Sequence, residues 1–242
     1  MYDTNNYNKN AGKYSQLDLI GKGTLYLSFR DVATLLKKHG YADFPKLKAL
    51  DYGCGAGRSS RYLKHIGLSQ VDGVDVNAEM LKQAQKLDQS GSYEHLTSAK
   101  TKFESEYFDL VFSSFVLVEI SKKSQIMELL KEAYRVLKKD GMLMMVTPSS
   151  DLFNPHHSWL SYDQKYPENE NLSSGSCAQV KLKDVDLILR DYYWTNEDIR
   201  TLVKEAGFKY FEIHKALGKK EDPFTWASEA HTSPYDLYVI KK

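Results

Sequence analysis

Lys48-Ala49-Leu50-Asp51-Tyr52-Gly53-Cys54-Gly55-Ala56-Gly57-Arg58 is the stretch whose reading decides the fold. A short apolar run ends in an acid, Asp51, and then turns through three alternate glycines into a helix expected to start near Arg58. Glycine at such positions lets the backbone take positive φ and come close to a ligand that a Cβ would hold off. The first amides of the following helix point at the same spot and favour polar or anionic groups. The stretch therefore reads as a strand-turn-helix cradle for a nucleotide-like ligand.

A second acid narrows the choice of nucleotide. Beyond the helix Arg58 to His65, the run Val71 to Val76 sets Asp75, with Val76 beside it, about twenty residues past the glycines, where a carboxylate can accept both ribose hydroxyls. S-adenosylmethionine and NAD both carry that ribose. A dinucleotide fingerprint is G-x-G-x-x-G, because a pyrophosphate must sit on the helix N-terminus. The spacing here is G-x-G-x-G, with Asp51 two residues upstream. An acid beside the loop repels a pyrophosphate and suits an ammonium.

On these residues the chain resembles the class I S-adenosylmethionine-dependent methyltransferases, whose first loop reads acid-x-G-x-G-x-G and whose second strand ends in an acid. The resemblance covers roughly residues 46 to 148. It implies a doubly wound, mostly parallel seven-stranded α/β sheet of the Rossmann-like methyltransferase type, with a reversed C-terminal hairpin, in a single domain over 1–242. It also implies that Asp51, Gly53, Gly55, Gly57, Asp75 and Val76 hold the cofactor, with the backbone near Ser114 at its methionine end and Phe115 near the transferable methyl. Where the family often carries an acid for the adenine amine, this chain departs and has Thr97 and Ser98. A hydroxyl there can accept from adenine, or the pair simply ends a strand. Tyr7-Asn8-Lys9-Asn10-Ala11-Gly12-Lys13-Tyr14 resembles the family's Y-x-x-x-A-x-x-Y leader. Residues 1–23 are thus either a lid bearing Tyr7 and Tyr14 or a disordered terminus.

Periodicity supplies the rest. Helices are expected over Leu25 to His39, after Asn77 with its Met80, Leu81, Ala84 and Leu87 stripe, from a Ser121 cap to Lys138 with a Gly141 stop, and after Thr195, with Asp198 reciprocating that cap. Strands are expected over Tyr93 to Thr97, Phe108 to Phe112 and Met142 to Val146, with Tyr210 to His214 and Tyr235 to Ile240 at the end. Residues 149–193 form a long connection with His156, His157, Trp159, Tyr162 and a strand or hairpin around Val180 to Leu189. A connection of that length is a lid or disordered, and its aromatic residues interleaved with His and Asp suggest a roof over a small, partly aromatic substrate. If the acceptor needs a base, Glu119, His156, His157 and Asp151 are the candidates, with Tyr14 from the leader.

The balance of 33 lysines and arginines against 32 acids recruits neither nucleic acid nor membrane by a global field. There is no Asn/Asp-Pro-Pro-aromatic or Pro-Cys motif of the kind base-modifying methyltransferases use. Two cysteines, Cys54 and Cys177, make neither a disulfide framework nor a four-ligand metal site, and Cys54 reads as a small apolar filler. The expectation is a cytoplasmic methyltransferase, monomeric or homodimeric, needing no metal and acting on a small organic molecule. A tRNA or protein acceptor, favoured by a basic face from Lys37, Lys38, Lys46 and Lys48, and a catalytically silent cofactor-binding module are the alternatives.

Overall fold

The apolar run at Phe108–Ser114 becomes β4, and its neighbours fix the architecture. The structure is a computed structural model that describes residues 7–242, and side chains from residue 9 onward. The other sheet strands are β1 (Lys48–Tyr52), β2 (Gln70–Asp75), β3 (Ser92–His95), β5 (Leu137–Pro148), β9 (Tyr210–His214) and β10 (Tyr235–Lys241). Their order is β3-β2-β1-β4-β5-β10-β9. The pairs from β3 to β5 are parallel, and β10 runs antiparallel to both β5 and β9. This is the doubly wound sheet with a reversed terminal hairpin that the sequence implies.

Strand alternation divides the core between the two faces. Ala49, Leu110, Met142 and Met144 pack with Leu36 of α2 (Val32–Lys38) and Tyr62 and Leu63 of α3 (Arg58–His65). Leu50, Val111, Leu143 and Met145 pack with Leu130 and Ala133 of α5 (Lys123–Val136) and Ile199 and Val203 of α6 (Asn196–Glu205). Because both faces are covered, the central strands are continuously apolar. α4 (Ala78–Leu87) follows β2 and is capped by the Asn77 side chain, which accepts from the Met80 amide.

Residues 149–193 form a separate three-stranded antiparallel sheet of β6 (Tyr162–Asp163), β7 (Cys177–Leu182) and β8 (Leu187–Tyr192). The expected hairpin is therefore present, turning at Asp186 in the left-handed region. One buried carboxylate ties this sheet to the body. Glu229 accepts from the Thr24 hydroxyl, from the Leu160 amide at 2.8 Å and from the Ala227 amide at 3.2 Å. The Ser161 amide in turn donates to Thr24 Oγ1 at 3.0 Å.

Those bonds explain one departure from the sequence reading. The apolar period from Leu25 to His39 predicts a single helix, but the chain forms a 3-10 segment at Gly23–Ser28 and only then α2. Tertiary hydrogen bonds at Thr24 override the local period. The Ser121 cap also fails, since Lys122 takes the N-cap position and no side chain caps α5. That helix ends at Val136 because Leu137 enters the sheet opposite Phe108, so Gly141 lies inside β5 instead of stopping a helix. Thr195 does cap α6, accepting from the Asp198 amide at 3.3 Å, but the Asp198 carboxylate pairs with Lys123 at 2.6 Å and does not return to the cap. The third strand stops at His95, leaving Thr97 and Ser98 in the following loop. Among the described residues, no helix is long and apolar enough to cross a membrane.

Of the caps expected at Ser121 and Thr195, only the second should matter. Thr195→Ala should lower unfolding free energy by ~1 kcal/mol in urea titrations, whereas Ser121→Ala should stay within ~0.5 kcal/mol of the parent.

Candidate active site

Strand order reverses between β1 and β4, and a crevice opens beyond their carboxyl ends, as expected at a switch point. It is a cavity of about 610 Å³, lined by Gly53, Gly55, Asp75, Val76, Thr97, Ser98, Ser114, Phe115 and Glu119, with Tyr14 and the roof residues Tyr162 and Asp191 above.

The glycine loop is built from β1 outward. Asp51, at the end of that strand, is 0% exposed. Its Oδ2 accepts from the Ser59 and Ser60 hydroxyls in the first turn of α3, at 2.7 and 2.5 Å. Its Oδ1 is equally buried and has no hydrogen-bond partner among the described residues. Burial pushes the Asp51 carboxyl up to about 6, with the Ser60 and Ser59 hydroxyls opposing and the charge of Asp75 adding to the rise. Asp51 therefore does not line the cavity but lies just beneath the loop.

The three glycines serve different ends. All have positive φ, at 80°, 51° and 76° for Gly53, Gly55 and Gly57. A Cβ on Gly53 would lie 2.2 Å from Val116 Cγ2, and one on Gly57 would press on the Tyr93 hydroxyl and on Ala84. A Cβ on Gly55 would meet only Met80 Cε, at 3.0 Å. Gly53 and Gly57 thus satisfy internal packing, while Gly55 keeps the cavity floor clear. Cys54 between them is buried and its thiol is pushed well up by burial, consistent with a filler.

Asp75 ends β2 and clamps this loop. Its Oδ2 accepts from the Gly55 amide and its Oδ1 from the Asn77 amide, both at 2.7 Å. Burial raises its pKa, against the pull of those two amides. Each oxygen keeps a further lone pair, so the carboxylate can still accept from a ligand. Val76 exposes 45% of its surface beside it, and His95 Nε2 sits 3.0 Å from the Val76 carbonyl oxygen. On the other side of β1, Phe115 takes φ 59°, rare for a side chain with a Cβ, while its amide donates to the Val146 carbonyl at 2.8 Å. Its ring meets Tyr235 edge-on, 5.5 Å between centroids.

The leader helix α1 (Tyr7–Ser15) lies over this floor. Ala11 and Tyr14 pack with Ala56 of the loop and Met80 of α4, and Lys13 Nζ donates to the Asp186 carbonyl at the roof hairpin's turn. The side chain of Tyr7 lies outside the described residues.

Not every expected site residue converges here. The His156 amide is held by Asn154 Oδ1, and His157 packs on the Trp159 ring with its Nε2 3.8 Å from Asp151. Neither histidine lines the cavity, nor does Asp151, so a base from this group has no path to a bound acceptor in this arrangement. Glu119, in the short turn Leu117–Glu119 after β4, and Tyr14 do line it. Sequence reasoning missed Arg58, His95 and Asp191 as cavity residues. The strand alternation of β8, which puts Leu187, Leu189 and Asp191 on one face, is the signal that exposes the last.

These features coincide with what comparison finds. Residues 50–145 match the family described as a methyltransferase domain. That stretch of the chain is therefore a methyltransferase domain, set in a sheet of the Rossmann-like methyltransferase type. Among curated relatives, a malonyl-[acyl-carrier protein] O-methyltransferase from Enterobacter lignolyticus is 30% identical over 127 residues, 52% of this chain and 49% of that protein. Sterol methyltransferase-like 3 from Botryococcus braunii is 30% identical over 175 residues, 68% of this chain and 39% of that protein. The chain thus spans about half the length, or less, of these curated relatives. Among solved structures, a Mesorhizobium loti S-adenosylmethionine-dependent methyltransferase superposes with TM-score 0.63 at 16% identity, covering 93% of this chain and all of that one. A possible histamine N-methyltransferase from Thermotoga maritima gives TM-score 0.63 at 19% identity over 98% of both chains. Both share the fold.

The loop geometry separates two substitutions. Gly55→Ala should leave the melting temperature within a few degrees but weaken S-adenosylhomocysteine binding by tenfold or more. Gly53→Ala should instead lower the melting temperature, and Val116→Ala should recover only the part due to the clash, leaving the cost of the positive φ. Asp51 gives a third test. A carboxyl raised from ~3.9 in the unfolded chain to about 6 holds its proton more tightly when folded, so stability falls as pH rises between those values. Two units correspond to ~3 kcal/mol. Asp51→Asn should remove Asp51's share of that slope in denaturation curves of the cofactor-free protein, leaving the part due to Asp75.

Proposed function

We propose that this chain is an enzyme that binds S-adenosylmethionine in the cavity and methylates a small organic molecule on oxygen, nitrogen or carbon by in-line displacement. The observation that carries the reading is Asp51: a carboxyl oxygen without a hydrogen-bond partner among the described residues, buried beneath a glycine loop held clear at Gly55. A ligand ammonium above the loop supplies the missing positive charge, and Asp75 supplies an acceptor for ribose hydroxyls. Val76, Thr97 and Ser98 make the wall suited to an adenine, and Ser114 and Phe115 border the methionine end. When bound, the cofactor contributes an electrophilic methyl group on a sulfonium.

What remains for the protein is alignment and exclusion of water, because charge disperses as the methyl moves. The leader helix, with Tyr14, and the roof serve as covers on two sides. Glu119 is the base candidate with access to the acceptor, for substrates that must lose a proton. Two features weigh against the alternatives. The roof residues Tyr162, Leu182 and Leu189 line the cavity without filling it, which opposes a silent module. The basic face that would recruit nucleic acid is diluted by acids, Lys38 lying beside Glu212 and Lys46 beside Asp43, each at 2.6 Å, while Lys37 and Lys48 lie over the rings of Phe44 and Tyr107. Lys48 also opens β1, at the end of that strand away from the cavity.

A screen with isotopically labelled cofactor against separate metabolite and RNA fractions tests the reading. Label should enter the small-molecule fraction; label in RNA alone, or in neither fraction, would count against it. Asp75→Ala should weaken S-adenosylhomocysteine by about 1.5 to 3 kcal/mol in calorimetry, the loss of a hydrogen-bonded charge.

A further inference from the structure

Arg58 is the cationic side chain in the cavity lining. Its Nε donates to the Asp18 carbonyl at 2.9 Å and its Nη2 to the Ile20 carbonyl at 3.4 Å, while the guanidinium carbon lies 4.4 Å from the centre of the Phe29 ring. Nη1 makes no hydrogen bond among the described residues, and no carboxylate pairs with the group, although Glu119 and Asp191 share the same cavity. Burial pulls its pKa below the ordinary guanidinium value, with Tyr235 and Tyr162 close by. A guanidinium stays charged under all ordinary conditions, so this is a partly buried cation with donors to spare. Such a group is expensive unless an anion meets it.

Its position tells which ligand that anion belongs to. The cavity runs along the sheet, with Asp75, His95, Thr97 and Ser98 at the β2 and β3 end. Tyr235 stands at the opposite end, on β10 opposite Pro148, and donates its hydroxyl to Tyr162 of the roof at 2.9 Å. Arg58 faces that second end, where Leu25, Phe29, Phe115, Leu152, Leu182 and Leu189 make most of the wall, with Tyr162 and Asp191 of the roof beside them. We propose that the methyl acceptor has an apolar body and a carboxylate, and that Arg58 docks the carboxylate through its unused N–H groups while the leucine and phenylalanine walls hold the body. A planar fork suits a carboxylate because two parallel N–H bonds fix its plane as well as its place. The inference rests on the methyltransferase reading above, since it assigns the half of the cavity left for the acceptor.

Calorimetry on the whole chain tests it with benzoate and the straight-chain carboxylates from butanoate to decanoate, each against its primary amide. Titrations are run on the free protein and in the presence of S-adenosylhomocysteine or 5′-methylthioadenosine, which lacks the amino-acid end. A carboxylate should bind at least ~10-fold more tightly than its amide in all three states, as befits a charge-assisted pair. Arg58→Met should abolish that preference and change S-adenosylhomocysteine affinity by less than ~3-fold; Arg58→Lys should keep only part of the preference. Equal binding of acids and amides, or binding of neither, overturns the proposal. So does carboxylate binding that persists with 5′-methylthioadenosine and vanishes with S-adenosylhomocysteine, which would give the guanidinium to the cofactor's own carboxylate. These comparisons need no variant, so they decide even if loss of the bonds to Asp18 and Ile20 unfolds Arg58→Met. Failure of S-adenosylhomocysteine to bind would instead refute the enzyme reading, and the free-protein titration would still report on Arg58.

Discussion

A carboxyl group with no exposed surface sits at the end of the first strand, met by two hydroxyls and by no cation. Placing Asp51 there is unfavourable for its ionised form, and the surrounding structure is arranged around that fact. Ser59 and Ser60 are drawn into the first turn of α3, which fixes where the helix begins and how sharply Gly53 to Gly57 must turn. The turn brings the Gly55 amide to Asp75, and that bond fastens the loop to the neighbouring strand. A packed hydrocarbon in place of Asp51 would relieve the desolvation but leave nothing beneath the loop to answer a positive charge above it.

The two acids also work against each other. Asp75 raises the proton affinity of Asp51 across the loop, while its own charge is supported by the amides of Gly55 and Asn77. The pair therefore makes a floor in which burial and mutual repulsion raise the proton affinity of both carboxyls above that of a carboxyl in water.

Much of this was legible in the sequence because it depends on short-range rules. Alternating glycines, strand-end acids, and caps such as Asn77 and Thr195 act within a few residues of themselves, and the apolar strands announce a sheet covered on both faces. The misreadings share a different cause. The broken helix at 23–38 follows from Thr24 bonding to residues far away in the chain, and the early end of α5 follows from Leu137 joining a strand opposite Phe108. His156 and His157 have the chemistry of a base, but a titratable side chain says nothing about the direction it faces. Arg58 shows the converse: its place directly after Gly57 marked a helix start, and only the fold discloses that its side chain turns back into the cavity beside residues from β10 and the roof.

The knot at Glu229 has a consequence for how such a scaffold can be altered. The roof is held to the body through Leu160 and Ser161, and the same carboxylate and hydroxyl also secure residue 24 near the start of the chain and residue 227 before the last strand. Three distant stretches therefore behave as one graft. Anyone exchanging the roof for that of a relative to redirect specificity must carry Thr24, Ser161 and Glu229 across as a set, or leave a buried acid stranded at the seam.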